Sequence, residues 1–173
     1  MIRKDIKNLI QREFFDRPAK KFQLRELARA LKVGLPTAKR AVERLAKEGI
    51  VERGTNGIYP YYTASRTEAY SIRRRLDVQL RLQESGLIEY LVEKLTPDAI
   101  VLFGSASRGE DVETSDIDLF VVSSEKELET AAFERQLKRK IHMIFEPYPK
   151  KAPKELLNNV INGIVVYGYL KVL

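Results

Sequence analysis

The residues whose types and spacing can do chemistry lie in two short stretches. The apolar run Val101-Leu102-Phe103 ends in Gly104-Ser105, and Ser115-Asp116-Ile117-Asp118-Leu119 carries two acids. The first reads as a buried strand that turns sharply at the glycine. In the second, Asp116 and Asp118 are two residues apart, so on a strand both carboxylates leave the same face. Two carboxylates beside a Gly-Ser turn with free backbone N–H groups can hold a divalent cation against a phosphate chain. The plainer reading is a pair of acids on a solvated edge, and the apolar neighbours Ile117, Leu119 and Phe120 speak against it.

These residues need a small α/β frame. Ala99 to Phe103 reads as one strand, Ser105 to Gly109 as a turn of helix and Asp116 to Val122 as a second strand. A helix is expected over Glu125 to Lys138 and a third strand over Lys140 to Phe145. Pro153 to Asn162 reads as a helix that starts at proline and stops at Gly163, and Ile164 to Leu170 as an edge strand. Just upstream, Leu87, Ile88, Leu91, Val92 and Leu95 form an apolar helical stripe that belongs with this frame.

The first part of the chain is organised differently. Leu24, Leu27, Ala28 and Leu31 follow the spacing of a helix with one buried face. After Val33-Gly34-Leu35, Pro36 suits the first turn of a new helix, in which Ala38, Ala41, Val42 and Leu45 repeat the pattern and Gly49 supplies the stop. An earlier helix, Ile2 to Phe15, contributes Ile6, Leu9, Ile10 and Phe14. Two short strands around Gly54-Thr55-Asn56-Gly57 read as a hairpin, with Pro60 placing the second at an edge. Ser65 to Leu95 is dominated by helix formers, and Gly86 divides it. Its first part carries Ile72, Leu76 and Leu80, a rigid spacer or a dimer seam, and the triplet Arg73-Arg74-Arg75, a solvated face or a phosphate contact. Three domains follow: 1–65, a helical connector over 66–85, and 86–173.

Composition bounds the function. The chain has 173 residues, no cysteine and 44% hydrophobic residues, which predicts a packed core and excludes disulfide, thiolate-metal and cysteine-nucleophile chemistry. No apolar stretch approaches the roughly 20 residues that span a bilayer, and MIRKDIKNLI carries no signal-peptide core, so a cytoplasmic protein without membrane contact is expected. The net charge of +7 is uneven: residues 1–65 hold 15 Lys/Arg against 7 Asp/Glu, and residues 96–173 hold 10 against 12. A basic first module points to a polyanionic partner.

Two resemblances sharpen these expectations. The stretch LRELARALKVGLPTAKRAVERLAKEGIVERG, with the hairpin to Thr63, resembles the winged helix-turn-helix family of DNA-binding heads. That resemblance implies a recognition helix that enters the major groove. Thr37, Lys39 and Arg40 are then the candidates for base edges, and Arg44, Lys47 and the wing residue Arg53 for phosphates. A dimerisation or packing module is the competing reading. Further on, FGSASRGEDVETSDIDLFV resembles the minimal nucleotidyltransferases of the DNA polymerase β superfamily. The fold class expected for the whole is α+β: a winged helix-turn-helix, a helical connector and a mixed β-sheet with helices.

The second resemblance implies transfer of a nucleoside monophosphate from an NTP to an acceptor, with Mg²⁺. Gly104, Ser105 and Arg108 would bind nucleotide, and Asp116 and Asp118 would be catalytic and hold the metal. Active members usually carry a further acid on the third strand. This chain reads Lys140-Ile141-His142-Met143-Ile144-Phe145-Glu146. His142, the only histidine, stands in that place as a third catalytic candidate, with Glu146 as a substitute in another register. Two alternatives stand beside a targeted enzyme. One is a transcription regulator whose nucleotidyltransferase-like domain binds nucleotide without turnover. The other is an antitoxin-type nucleotidyltransferase acting on a small helical partner protein. A homodimer is compatible with each.

Overall fold

In the computed structural model, residues 5–172 are described, and the chain divides into two compact units, Met1–Arg73 and Arg74–Leu173. The division falls inside the segment read as a connector. The part of the first expected helix that precedes Asp5 lies outside the described residues. No helix among them is long and apolar enough to cross a membrane.

In the first unit, Asp5 starts helix α1 (Ile6–Asp16) by accepting the Asn8 N–H, which satisfies one of the donors a helix start leaves open. Helices α2 (Leu24–Ala30) and α3 (Leu35–Lys47) follow, α3 with proline in its first turn. Gly49 (φ +73°) ends the segment in the left-handed region. Ile10, Phe14, Phe15, Leu27, Ala38, Val42 and Leu45 are removed from solvent. The rings of Phe14 and Phe22 meet edge-on at 5.0 Å, the arrangement their quadrupoles favour.

Strands β1 (Val51–Asn56) and β2 (Tyr59–Ala64) pair antiparallel with Asn56 opposite Tyr59. The turn is therefore Gly57-Ile58 alone, tighter than the Gly54–Gly57 segment expected, and Gly57 supplies φ +60°. Gly54 lies inside β1 opposite Tyr61, whose ring fills the space a Cβ would take. It is a packing glycine. The far edge of β2 bridges Phe22 through Tyr62, with backbone bonds of 2.7 and 2.8 Å.

Helix α4 (Glu68–Glu84) is continuous across the division, and α5 (Leu87–Leu95) follows Gly86, whose φ is +77°. Tyr70, Val78 and Leu82 are buried, whereas Ile72, Leu76 and Leu80 are exposed. Arg74, expected on a solvated face or at a phosphate, shares the buried side with Val78 and Leu82 and is 2% exposed. Residues 74, 78 and 82 follow one helical face, so the arginine is on the stripe that packs.

The second unit is built on a four-stranded sheet in the order β5-β4-β3-β6. These are β3 (Ala99–Phe103), β4 (Ile117–Val121), β5 (Ile141–Phe145) and β6 (Ile164–Gly168). Strand β3 is antiparallel to both neighbours and β5 is parallel to β4. All five residues of β3 are buried, because both faces are covered. Ile100 and Leu102 pack with Leu82, Leu87, Ile88 and Leu91. Ala99, Val101 and Phe103 pack with Val160 and, on α8 (Lys154–Ile161), Leu156 and Leu157. Helix α6 (Gly104–Arg108) follows β3 directly.

Helix α7 spans only Ala131–Leu137, shorter than the Glu125–Lys138 helix expected. Leu128 packs into the core and the Glu129 N–H donates to the Tyr90 hydroxyl at 3.1 Å. Tertiary partners thus take the backbone that a first helical turn would have used.

Candidate active site

Phe103 pairs with Asp118 across β3 and β4, and Asp118 pairs with His142 across β4 and β5. The row ends at Gly104, which has φ +72°. A Cβ at Gly104 would lie 3.3 Å from the Asp118 carboxyl carbon and collide with its Oδ2. Glycine is required here twice over, by its backbone conformation and by the carboxylate lying against its Cα.

The other oxygen of Asp118 faces β5. His142 Nδ1 lies 3.1 Å from Asp118 Oδ1, with the imidazole about half exposed and the carboxylate about a quarter exposed. An ionised carboxylate only accepts, so this bond puts the ring proton on Nδ1 and leaves Nε2 of a neutral imidazole as an acceptor. The register fixes the fate of Glu146. It lies four residues beyond His142, about 13 Å along the strand, and its carboxylate accepts the Tyr148 N–H at 2.8 Å. It cannot take the place of an acid beside Asp118.

Asp116 is exposed and lies one residue before β4, which begins at Ile117 rather than at Asp116 as expected. The cause is local. The Val112 N–H donates to Ser115 Oγ at 2.9 Å, and Arg139 Nη1 donates to the Ser115 carbonyl at 2.9 Å. The ladder is joined only from the Ile117 N–H, which donates to the Lys140 carbonyl at 2.9 Å. Ser105 is half-buried in the first turn of α6. Arg108 is exposed, bonded through Nε to Glu110 at 2.7 Å and through Nη1 to the Gly104 carbonyl at 3.0 Å. An exposed pair of this kind is worth about 0–1 kcal/mol, so a phosphate can replace Glu110 at small cost.

No group of three or more His, Cys, Asp or Glu is gathered tightly enough to hold a metal ion among the described residues. The oxygens of Asp116 and Asp118 nevertheless fit the hard-cation chemistry of Mg²⁺. That ion is commonly bound by one or two carboxylates with substrate phosphates and water completing the shell. The Gly104 Cα against Asp118 leaves room for such a group where a side chain would block it.

One feature of the site has no counterpart among the sequence expectations. Asp111, in the spacer between α6 and β4, is buried against two arginines. Arg74 bonds it through Nε at 3.1 Å and Nη2 at 2.5 Å, and Arg139 Nη2 lies 2.7 Å away. Burial alone would raise the Asp111 carboxyl pKa. The hydrogen bonds and charge of Arg74, and then of Arg139, outweigh it and hold the group below the ordinary carboxylate range. This cluster, with Ser115, fixes the loop that delivers Asp116. The signal available in the sequence was the spacing of Arg74 with Val78 and Leu82.

In the first unit, Lys39, Arg40, Arg44, Lys47 and Arg53 are exposed and Thr37 is half-buried. Lys39 lies 3.8 Å from Glu43 and Arg44 lies 3.4 Å from Glu48. Glu48 also accepts Lys7 Nζ at 2.8 Å. That hydrogen bond, against the opposing effect of burial and with the charges of Lys7, Arg73 and Arg44, keeps its carboxyl below the usual range.

The site is thus an antiparallel strand pair with a Gly-Ser turn and an aspartate set against the glycine. Residues 85–170 match the family model Polymerase beta, Nucleotidyltransferase. That match supports a nucleotidyltransferase domain over these residues and nucleotidyl transfer in general terms. Comparison with curated proteins and with solved structures gives no match.

Proposed function

We propose that the protein is a Mg²⁺-dependent nucleotidyltransferase with a DNA-binding winged helix. The observation that carries the enzymatic reading is the Asp118 carboxylate, which lies with one oxygen against Gly104 and the other on His142. Gly104, Ser105 and Arg108 bind the triphosphate, the glycine by allowing close approach and the other two by hydrogen bond and charge. Asp116 and Asp118 hold Mg²⁺, which when bound supplies neutralising charge to the triphosphate. The acceptor hydroxyl attacks the α-phosphorus, a P–O bond forms, the bond to the β-phosphate oxygen breaks and pyrophosphate leaves. His142, held through Nδ1 by Asp118, takes the acceptor's proton on Nε2.

Incubating the full chain with labelled NTPs, Mg²⁺ and DNA, RNA or protein acceptors tests this. Asp118→Ala is expected to abolish incorporation. His142→Ala is expected to slow it about 100-fold while leaving nucleotide binding in place. Equal incorporation by wild type and Asp118→Ala would refute the assignment. Nucleotide binding with no incorporation into any acceptor would favour a nucleotide-sensing regulator instead.

DNA binding is supported by α3. Its buried residues Ala38, Ala41, Val42 and Leu45 form one face, and Lys39, Arg40, Arg44 and Lys47 are exposed. The order of three helices and a hairpin, with Arg53 exposed on β1, agrees with the winged-helix reading. Thr37, Lys39 and Arg40 meet bases, and Arg44, Lys47 and Arg53 meet phosphates.

A further inference from the structure

At the end of the sheet opposite Gly104, where β3 begins and β4, β5 and β6 finish, the second unit forms an open cavity of about 480 Å³. Asp98, Tyr148, Lys150, Lys151, Tyr169 and Lys171 are among its lining residues. Nothing in the nucleotidyl-transfer reading uses it.

The cavity is held from both sides. Gly168 has φ +70°, and a Cβ there would collide with the Asp98 carbonyl. The next residue, Tyr169, donates its N–H to the same carbonyl at 3.1 Å. On the other wall, Pro149–Lys151 form a 3-10 turn closed by the Lys151 N–H to the Tyr148 carbonyl at 2.8 Å. Ala152 and Leu170, one from each wall, belong to the same apolar cluster as Val101 and Phe120. Both walls are anchored in one core, so the cavity does not need a ligand to form.

Its chemistry is unlike that of the module around it. Residues 96–173 hold 10 basic against 12 acidic side chains, yet among the described residues three lysines line this cavity with Asp98 as the one carboxylate. Tyr148 and Tyr169 are 62% and 73% exposed. Lys151 Nζ lies 4.6 Å from the Tyr148 ring centre, so charge and aromatic surface are adjacent. An acidic peptide would use the ammonium groups and leave the rings idle. A nucleotide unit uses both, stacking its base on a ring and placing phosphate at the lysines. The volume is also that of a small-ligand site.

We propose that this cavity binds a nucleotide unit, with the base against Tyr169 and the phosphates at Lys150, Lys151 and Lys171. The positive charge comes from side chains, so binding needs no divalent ion. The nucleotide is either free or the end of a single strand, and the chemistry of recognition is the same. The proposal stands independently of nucleotidyl transfer, because His142 and the cavity lie toward opposite ends of β5.

Calorimetric titration of the full chain with ATP in EDTA tests it. Wild type is expected to bind ATP without a divalent ion. Lys150→Ala with Lys151→Ala should weaken binding at least about tenfold. Tyr169→Ala should weaken it about fivefold or more, with Tyr169→Phe retaining it and thermal midpoints confirming that each variant folds. Unchanged affinity in the lysine and tyrosine variants, or no binding in EDTA, would each overturn the proposal. A labelled single-stranded oligonucleotide, titrated into Arg40→Ala/Arg44→Ala to suppress binding by the basic first unit, separates the sources. If cavity variants weaken it and it binds more tightly than ATP, the ligand is a strand end. If ATP binds at least as tightly, it is a free nucleotide.

Discussion

Replacing Asp111 by alanine is the perturbation with the largest expected effect outside the apolar core. Its carboxylate is 1% exposed and is shared by Arg74, 2% exposed, and Arg139, 10% exposed. Removing one partner of a buried pair leaves charge without its counter-ion, a loss of about 3–5 kcal/mol. For a unit of this size that lowers the thermal midpoint by roughly 12 °C or more. Replacing the cluster by apolar groups, Arg74→Met, Asp111→Leu and Arg139→Met together, should cost far less, because the desolvation of charge disappears along with the attraction.

The pH dependence has a definite sign. Asp111 has a lowered pKa when folded, so its contribution is fully present above the ordinary carboxylate value of about 4 and is lost as pH falls toward the folded value. Wild type should therefore lose its advantage over the apolar triple variant on acidification below about pH 4. Thermal melts followed by circular dichroism between pH 3 and 7 read both effects. A midpoint for Asp111→Ala within about 2 °C of wild type would refute the reasoning, since a full kcal/mol would move it further.

Other expectations are simpler. Gly104→Ala forces a left-handed backbone that costs about 1–2 kcal/mol, drives a Cβ into Asp118 and should abolish incorporation, measured beside its melting midpoint. Leu82→Ala should destabilise by about 2–5 kcal/mol, whereas Leu76→Ser, on the exposed stripe, should stay within about 0.5 kcal/mol in urea unfolding. Arg40→Ala/Arg44→Ala should weaken duplex DNA binding and make the slope of log affinity against log salt shallower by about one, from the phosphate contact at Arg44. Glu48→Gln, which removes the acid beside Arg44, should strengthen that binding, and a weakened complex would count against a DNA contact at Arg44.

Much of the second unit could be read in the sequence because its strands are short apolar runs closed by glycine, proline or charge. Ala99–Phe103 and Ile141–Phe145 were legible on that ground. The end of β4 nearest the site falls one residue later than the Asp116 start expected. Pairing begins at Ile117, and the reason is Arg139 on the Ser115 carbonyl, a contact 24 residues away in sequence. The helix before β5 was overestimated for a similar reason, because Leu128 and the Tyr90 hydroxyl draw residues 128–129 away. Helix α4 offers two stripes of equal period, and the one carrying Arg74, Val78 and Leu82 is buried while Ile72, Leu76 and Leu80 are exposed. Arg74 is buried because Asp111 meets it, and no local pattern announces that pair.

The row Phe103–Asp118–His142 crosses three strands, but its members are not held equally. Strand β5 pairs with β4 alone and forms one edge of the sheet, whereas β3 is flanked on both sides. Edge strands open at lower cost than central ones. A transient opening of β5 would remove the imidazole while the β3–β4 pair still presented Gly104 and Asp118. Phosphate capture and proton acceptance would then belong to differently protected parts of the sheet, and amide exchange along β5 would outrun that along β3. The protein would hold its ligand through fluctuations that interrupt its chemistry.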